Sequence, residues 1–229
     1  MTQLLSEVPF GAFLAYSPHG PANDPLHARS KQFVWALKED GQFHGESAID
    51  VAVRRLADLR PGELMPWFSP DVVVVPAPRS SPFPPRDLGV PLRGSERDFL
   101  WVPRRICEEM ARVGLAADVQ TLLIRERRVP RSSASEASER PLPQAHLDSL
   151  SCRTMLDSRP KMLVVDDVVT RGATLLACAS LLADRFPEAQ VGTFALVRSM
   201  TNPLEFSGML APVAGLVTLR PQGDTLRRP

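Results

Sequence analysis

The sequence predicts an α/β fold in which a mostly parallel sheet carries helices on both faces. Two apolar segments rich in valine, at residues 71–75 and 162–165, have the composition of buried parallel strands. Segments with helical periodicity alternate with such strands, and this alternation is typical of βαβ units. We therefore expect residues 1–229 to form a single α/β domain.

The individual elements follow from hydrophobic periodicity and from the residues that end each segment. Strands are predicted at 11–16, 71–75, 162–165 and 191–197, with weaker signals at 120–124 and 214–219. Helices are predicted at 30–37, 46–59, 97–113 and 173–186. In the second helix, Ile49, Val53 and Leu56 recur at helical spacing, and Pro61 ends it. Residues 125–149 are polar and rich in proline, so we expect this segment to be mobile without a ligand. We expect residues 226–229 to fray.

Composition argues against several classes of function. The formal net charge of +1 provides no overall attraction to nucleic acid or to anionic membranes. No segment approaches the roughly 18 uncharged apolar residues of a membrane helix, and the N-terminus lacks signal-peptide features, so we expect a soluble, cytoplasmic protein. Cys107, Cys152 and Cys178 are far apart, which argues against a disulfide framework and a structural zinc site.

Two adjacent carboxylates, Asp166 and Asp167, follow the apolar run at 162–165. Ligands of open α/β sheets bind at the carboxyl ends of strands, where paired carboxylates can accept hydrogen bonds from neighbouring sugar hydroxyls. The next residues, Thr170 to Thr174, place backbone N–H groups and two hydroxyls at a predicted helix N-terminus, which suits a phosphate. The pattern therefore predicts a ribose 5-phosphate pocket. The alternative is a buried strand with a solvated Asp pair and an ordinary helix cap.

This stretch resembles the phosphoribosyl pyrophosphate (PRPP) signature of type I phosphoribosyltransferases. Ten residues match it in register: Val164, Val165, Asp166, Asp167, Val168, Val169, Thr170, Gly172, Ala173 and Thr174. Arg171 departs from it, because many members have a second threonine there. The resemblance implies a Rossmann-like core and a PRPP site formed by Asp166, Asp167, Thr170, Arg171, Gly172, Ala173 and Thr174. It also implies Mg²⁺ bound through PRPP, with no metal ligand from the protein.

A second anion-binding loop is predicted after the valine strand, at Pro76-Ala77-Pro78-Arg79-Ser80. In the resembled family, the loop after an early strand binds pyrophosphate through backbone amides and a basic residue, so Arg79 and Ser80 are the candidates. The alternative is a proline-rich strand exit with one exposed arginine.

Within the family, the chain looks most like the ComF-type branch. The Pro76-Ala77-Pro78 exit, the basic run from Leu123 to Arg128 and the segment from Trp35 to Gly41 resemble that branch. The resemblance covers roughly residues 30–199, and a variable hood over the site would come from the N-terminal or C-terminal segments. Two departures are the missing N-terminal zinc ribbon and the missing glutamine after the basic run, where Ser132 and Ser133 stand.

Residues 125–146 would then form a flexible loop that closes over the substrate. Arg127, Arg128 and Arg131 would neutralise the departing pyrophosphate, and Arg131 joins Asp166 and Asp167 as a candidate catalytic residue. The alternatives are a solvated basic loop and a nucleic-acid patch, although no aromatic side chains are interleaved for stacking. We expect His146 to lie at the surface. Core packing is expected of the large apolar residues Trp35, Trp67, Phe68 and Trp101.

Two functions remain open from the sequence. The first is a Mg²⁺-dependent phosphoribosyltransferase acting on an unidentified acceptor, and an enzyme is the interpretation we favour. The second is a non-catalytic PRPP or nucleotide sensor, or an accessory protein with a regulatory or DNA-uptake role, because a fold does not determine function. In both cases PRPP is the expected partner, neither a membrane nor direct nucleic-acid contact is expected, and a homodimer is left open.

Overall fold

The computed structural model describes residues 2–21, 23–83, 100–130, 141–154 and 160–229. Its strands are β1 (Glu7–Tyr16), β2 (Gln42–Phe43), β3 (Glu46–Ser47), β4 (Val72–Pro76), β5 (Asp118–Val119), β6 (Leu123–Arg125), β7 (Leu150–Cys152), β8 (Lys161–Val169), β9 (Gln190–Ser199), β10 (Leu210–Leu219) and β11 (Thr225–Arg228). Its helices are α1 (Pro25–Lys38), α2 (Ala48–Leu59), α3 (Val102–Arg112), α4 (Pro143–Leu147) and α5 (Ala173–Arg185). Short 3₁₀ turns lie at Met65–Trp67 and Pro203–Glu205.

The central sheet has seven described strands in the order β11-β10-β1-β9-β8-β4-β5. Strands β1, β9, β8, β4 and β5 run parallel to their neighbours, and β10 and β11 are antiparallel additions at one edge. The buried residue Val164 on β8 pairs with Val75 on β4 and with Thr193 on β9. The predicted α/β class with a mostly parallel sheet is therefore confirmed.

Helices cover both faces of this sheet. On one face, Leu37 of α1, Ile49 of α2 and Ile106 of α3 are fully buried against Phe194 of β9. On the other face, Leu176 of α5 belongs to a second core cluster. The alternation of strands and helices along the chain thus buries apolar side chains on both sides of the sheet, as the buried-strand composition requires.

Helix starts are determined by capping residues. The Ser47 hydroxyl accepts a hydrogen bond from the Asp50 N–H, so α2 begins at Ala48 within the predicted range. Helix α1 begins earlier than predicted, at Pro25, because the Asp24 carboxylate accepts from the Leu26 N–H and proline is favourable in the first turn. Helix α3 begins at Val102 without a side-chain cap, because the φ and ψ of Trp101 are not helical, and residues 97–99 of the predicted helix lie outside the described part of the chain.

The signature strand is longer than its apolar run. We predicted that the strand ends at Val165, but β8 continues to Val169 because Val168 and Val169 still pair with Val197 and Arg198 of β9. Asp166 and Asp167 therefore lie within a strand rather than after it. Their backbone is held by the sheet, which positions the two carboxylates more rigidly than a loop would.

Several other expectations need correction. The weak strand at 120–124 is instead two short strands, β5 and β6. The segment 125–149 contains α4, and its flanks pair as β6 and β7, although residues 131–140 lie outside the described part of the chain. The C-terminal residues are not frayed, because β11 pairs with β10. Trp35 is 68% exposed and does not pack in the core.

None of the described helices is both long enough and apolar enough to cross a bilayer.

Candidate functional site

A cavity of about 440 Å³ opens where β4 and β8 end. It is lined by Lys38, Arg79, Ser80, Arg125, His146, Asp166, Asp167, residues 168–175, Asp224 and Thr225, together with Glu39 and apolar residues that include several prolines. The acid pair, the predicted phosphate loop and the predicted pyrophosphate loop therefore meet in one place. Arg131 lies outside the described residues, so its predicted catalytic role stays a prediction.

The acid pair is held by backbone and side-chain donors. The Asp166 Oδ1 accepts a hydrogen bond from the Asp167 N–H at 2.9 Å, and the Asp167 Oδ1 accepts from the Val168 N–H at 2.7 Å. The Asp167 Oδ2 accepts from the Lys38 Nζ at 3.1 Å. Lys38 was not among the predicted site residues. The sequence signal at Lys38 is the resemblance of the segment from Trp35 to Gly41 to the ComF-type branch, which assigns no role to the lysine.

The two carboxylates have different electrostatic environments. Burial, together with the adjacent Asp167 charge, raises the pKa of Asp166 well above its usual value. Burial also acts to raise the pKa of Asp167, but the Lys38 ammonium and backbone donors outweigh it, so that pKa lies below its usual value. Of the two carboxyls, Asp166 is therefore the one that holds a proton more strongly, and Asp167 is the one whose ionised form is stabilised.

The loop after β8 ends in a helix N-terminus that faces the cavity. Gly172 is the N-cap of α5 with a φ of +90°, and no side chain caps the helix. The first intrahelical bond runs from the Leu176 N–H to the Gly172 carbonyl at 2.9 Å. The amides of Ala173, Thr174 and Leu175 thus lack intrahelical acceptors, and the helix dipole adds partial positive charge. This arrangement suits an anion.

Glycine is needed at residue 172 for two structural reasons. A φ of +90° is disfavoured for residues with a side chain. A β-carbon at Gly172 would also lie 2.7 Å from Cγ2 of the buried Val217 on β10. Contact with the C-terminal hairpin, formed by β10 and β11, therefore requires glycine here even without a ligand.

A buried pair, Arg125 and His146, forms part of the wall. The Arg125 guanidinium donates to the carbonyls of Arg79 (2.9 Å) and His146 (3.3 Å) and to the Ser149 hydroxyl. Burial, and then the Arg125 charge, lower the pKa of His146 to about 4, so the imidazole is neutral at pH 7. Its Nε2 lies 3.5 Å from the Thr174 Oγ1. The expectation of a surface His146 was wrong, because α4 packs against α5 and leaves this side chain only 3% exposed.

The predicted pyrophosphate loop is tied to its neighbours through its backbone. The Ala77 N–H donates to the Val165 carbonyl at 2.8 Å, and the Val129 N–H donates to the Ser80 carbonyl at 2.8 Å. The Arg79 guanidinium also lies over the Phe83 ring at 5.1 Å. Arg79 and Ser80 line the cavity on a loop held by β8 and by the segment after β6, and their binding of pyrophosphate stays a prediction.

The C-terminal hairpin supplies two cavity residues that sequence reasoning missed. Asp224 forms an ion pair with Arg220, and its Oδ2 lies 4.0 Å from Nη1 of Arg171. Thr225 is 2% exposed, and its hydroxyl has no hydrogen-bond partner among the described residues. Neither residue stands in a recognisable motif, so no local signal could have indicated them.

Two predicted basic residues are not brought to the cavity. Arg127 donates to the Asp148 carbonyl at the surface, and neither Arg127 nor Arg128 is among the described lining residues. In the structure as described, the cationic groups near the phosphate and pyrophosphate loops are Arg79, Arg125 and Arg171.

Comparisons with known proteins give weak similarities. No protein-family model and no curated protein matches the chain. A hypoxanthine phosphoribosyltransferase from Staphylococcus aureus aligns over 67% of this chain and 75% of its own, with 8% identity and a TM-score of 0.33. A glutamine mutant from a study of an invariant aspartic acid in HPRTs aligns over 82% and 93%, with 15% identity and a TM-score of 0.31. The Trypanosoma cruzi hypoxanthine phosphoribosyl transferase aligns over 82% and 89%, with 14% identity and a TM-score of 0.30. TM-scores of 0.30 to 0.33 are too low to support a function, so the function is argued from the residues that line the cavity.

Proposed function

We propose that the chain binds PRPP and transfers its phosphoribosyl group to an acceptor, with release of pyrophosphate. The observation that supports this most strongly is the meeting of three features in one cavity of about 440 Å³: the acid pair Asp166 and Asp167, the uncapped N-terminus of α5, and the loop that carries Arg79. A diol, a 5-phosphate and a pyrophosphate on one sugar match these three features.

Each part of the cavity has a role in this proposal. Asp166 and Asp167 bind the two ribose hydroxyls, because carboxylate oxygens accept hydrogen bonds from hydroxyl groups. The amides at the start of α5 and the hydroxyls of Thr170 and Thr174 hold the 5-phosphate. Arg171 adds a charge-assisted contact to that phosphate when its guanidinium leaves Asp224.

In this proposal, the departing pyrophosphate is stabilised by positively charged arginine side chains that line the cavity. Arg79 and Ser80 contact it, and the buried Arg125 adds a fixed charge behind the loop, since its guanidinium donates to the Arg79 carbonyl. Transfer passes through a cation-like ribosyl centre that water would intercept. The proline-rich wall on both sides of residues 131–140 suits exclusion of solvent, and closure of 125–146 stays part of the proposal.

Magnesium fits this cavity as a ligand-bound ion. The described residues contain no group of three or more His, Cys, Asp or Glu side chains that would hold a metal. The Asp167 carboxylate is already engaged by the Lys38 ammonium, which makes it a poor ligand for a second cation. When bound through PRPP, Mg²⁺ would neutralise charge on the pyrophosphate oxygens.

One observation favours binding without catalysis, as in the sensor interpretation. The described lining residues include no Phe, Tyr, Trp, Asn or Gln, which are the side chains that stack on or read a nucleobase. The ribose and phosphate contacts are present without such a surface. If the chain is a sensor, PRPP binds and no common base is converted. A cytoplasmic location and a homodimer also stay predictions.

Binding is tested by calorimetry with ribose 5-phosphate and with PRPP plus Mg²⁺. The variant Asp166→Asn/Asp167→Asn removes the acid pair, and we expect it to lose PRPP binding by more than about a hundredfold while remaining folded. The matched control is Asp58→Asn/Asp184→Asn, which removes two exposed carboxylates outside the cavity. Equal affinity of the wild type and the acid-pair variant would refute the proposal.

Catalysis is tested separately by following pyrophosphate release from PRPP with a panel of bases and amines. Turnover with an acceptor identifies the chain as a transferase. Tight PRPP binding without turnover across the panel assigns the sensor function. We expect slow or undetectable turnover with adenine, guanine, hypoxanthine, uracil and orotate, because the lining lacks base-reading side chains.

A further inference from the structure

Lys38 is the one lysine that reaches the floor of the candidate ribose site. It is the last residue of α1, and the helix is anchored by Phe33 and Leu37, which are buried against the sheet. The Lys38 side chain is 36% exposed, and its Nζ lies 3.1 Å from the Asp167 Oδ2, whose side chain is 17% exposed. The ammonium therefore sits at the boundary between the protein interior and the cavity.

The position of Lys38 changes the charge that a ligand meets. Two adjacent carboxylates in a partly buried site would repel the anionic groups of a sugar phosphate. Because Lys38 pairs with Asp167, its ammonium offsets one of the two carboxylate charges that the ligand meets. Burial lowers the pKa of Lys38, but the charge of Asp167 outweighs this and leaves the pKa above its ordinary value, so the ammonium persists.

The pairing also fits the chemistry of one hydroxyl. A hydroxyl has one hydrogen to donate and lone pairs to accept with. The free lone pairs of Asp167 can accept from that hydrogen while a remaining Lys38 N–H donates to the same oxygen. A sugar that lacks this hydroxyl leaves one Lys38 N–H and the free lone pairs of Asp167 without a ligand partner, which is costly in a partly dry cavity.

The geometry points to Lys38 as a sugar-binding residue. Together with Asp167 it reads one ribose hydroxyl and makes this recognition independent of a divalent metal. This inference deepens the proposed function and rests on it. Under this inference, Mg²⁺ acts only on the pyrophosphate. Ribose 5-phosphate should therefore bind equally well with and without the metal, whereas PRPP should bind more tightly with it.

The test measures affinities for ribose 5-phosphate and for its 2-deoxy and 3-deoxy analogues, each in Mg²⁺ and in EDTA. Lys38→Met keeps the length of the side chain and removes the ammonium. We expect about tenfold or greater loss of ribose 5-phosphate affinity. With one of the two deoxy analogues, the wild type and the variant should bind alike. Lys38→Arg should recover part of the affinity. The matched control is Lys31→Met on the same helix, whose Nζ donates to the Gly20 carbonyl away from the cavity, and it should bind as the wild type does.

A measurement on the unmodified chain covers the case in which the variants fold poorly. Reductive methylation of lysines, read by mass spectrometry, should be slowed at Lys38 by saturating ribose 5-phosphate in EDTA. Lys31 and Lys161 lie outside the cavity and should react at the same rate with and without the sugar. Protection confined to Lys38 supports the inference.

Three results would overturn the inference. An equal loss of affinity in Lys38→Met for ribose 5-phosphate and both deoxy analogues would show a purely structural role. An absolute need for Mg²⁺ in ribose 5-phosphate binding, or unchanged methylation of Lys38, would show that this lysine does not read the sugar. If the wild type binds neither ribose 5-phosphate nor PRPP, the proposed function fails and the inference fails with it. If the wild type binds these ligands but one of the three results above is found, only the inference about Lys38 fails.

Discussion

Replacing Gly172 with alanine should destabilise the protein even without a ligand. The residue adopts a φ of +90°, and its added β-carbon would lie 2.7 and 2.8 Å from the two Cγ atoms of Val217. Val217 is fully buried on β10, so it has no free space into which to move. The perturbation therefore combines backbone strain with overpacking at the contact between the phosphate loop and the C-terminal hairpin.

The magnitude follows from these two contributions. A positive φ costs an alanine about 1–2 kcal/mol, and an extra methyl group in a packed site costs about 1–3 kcal/mol. Lower entropy of the unfolded chain offsets about 0.4–1 kcal/mol. We expect the free energy of unfolding to fall by about 1–4.6 kcal/mol. For a chain of this length that corresponds to a lower Tm by about 2–4 °C per kcal/mol.

Two comparisons separate strain from overpacking in denaturant titrations. Gly114→Ala has a similar φ of +78° with open space around it, so it should show the strain alone. In a Val217→Ala background, Gly172→Ala should lose most of its overpacking cost, because the β-carbon of residue 217 lies 3.3 Å away. If Gly172→Ala costs no more than Gly114→Ala, the packing argument is refuted.

Two further predictions concern a histidine and a tryptophan. His146 has a pKa of about 4 in the folded protein against the ordinary histidine value of 6.5, because of burial and the Arg125 charge. The unfolded chain therefore takes up this proton first, and the stabilisation present above pH 6.5 is lost as the pH falls towards 4, by roughly 3 kcal/mol. His146→Gln should remove this part of the pH dependence in thermal melts, and an unchanged profile would contradict the buried neutral imidazole. Trp35→Ala should change the free energy of unfolding by less than about 0.5 kcal/mol, because the indole is mostly exposed. Phe194→Ala is the buried comparison and should cost about 3–5 kcal/mol, and equal costs at the two positions would place Trp35 in the core.

The helices and central strands were predictable because their signals are local. Helix α2 follows from apolar residues at helical spacing and from a stop at Pro61, and its core residues Ile49, Val53 and Leu56 are fully buried. The valine run of β4 follows from composition alone. The ends of elements were less predictable, since β8 extends past its apolar run only because β9 continues to offer partners.

The candidate site also has one part that local sequence predicts and another part that depends on tertiary packing. Residues 166–174 form a strand, a loop and a helix start that are contiguous in the chain, so their arrangement is encoded locally. Lys38 and Asp167 are 129 residues apart, and only the packing of α1 on the sheet joins them. The sequence predicted a surface position for His146. Burial of this residue arises from the contact between α4 and α5, which the composition of the segment does not indicate.

Arg171 illustrates how a departure from a sequence pattern can be explained by tertiary structure. A threonine at this position would contribute only a hydroxyl to a phosphate loop. The arginine instead reaches the C-terminal hairpin, where Asp224 already pairs with Arg220. The same hairpin places Val217 against Gly172, so an ion pair and an apolar contact join it to the loop. Under the proposed function, a bound phosphate would compete with Asp224 for the Arg171 guanidinium, so occupancy of the loop would be coupled to the hairpin in a way that the linear motif does not contain.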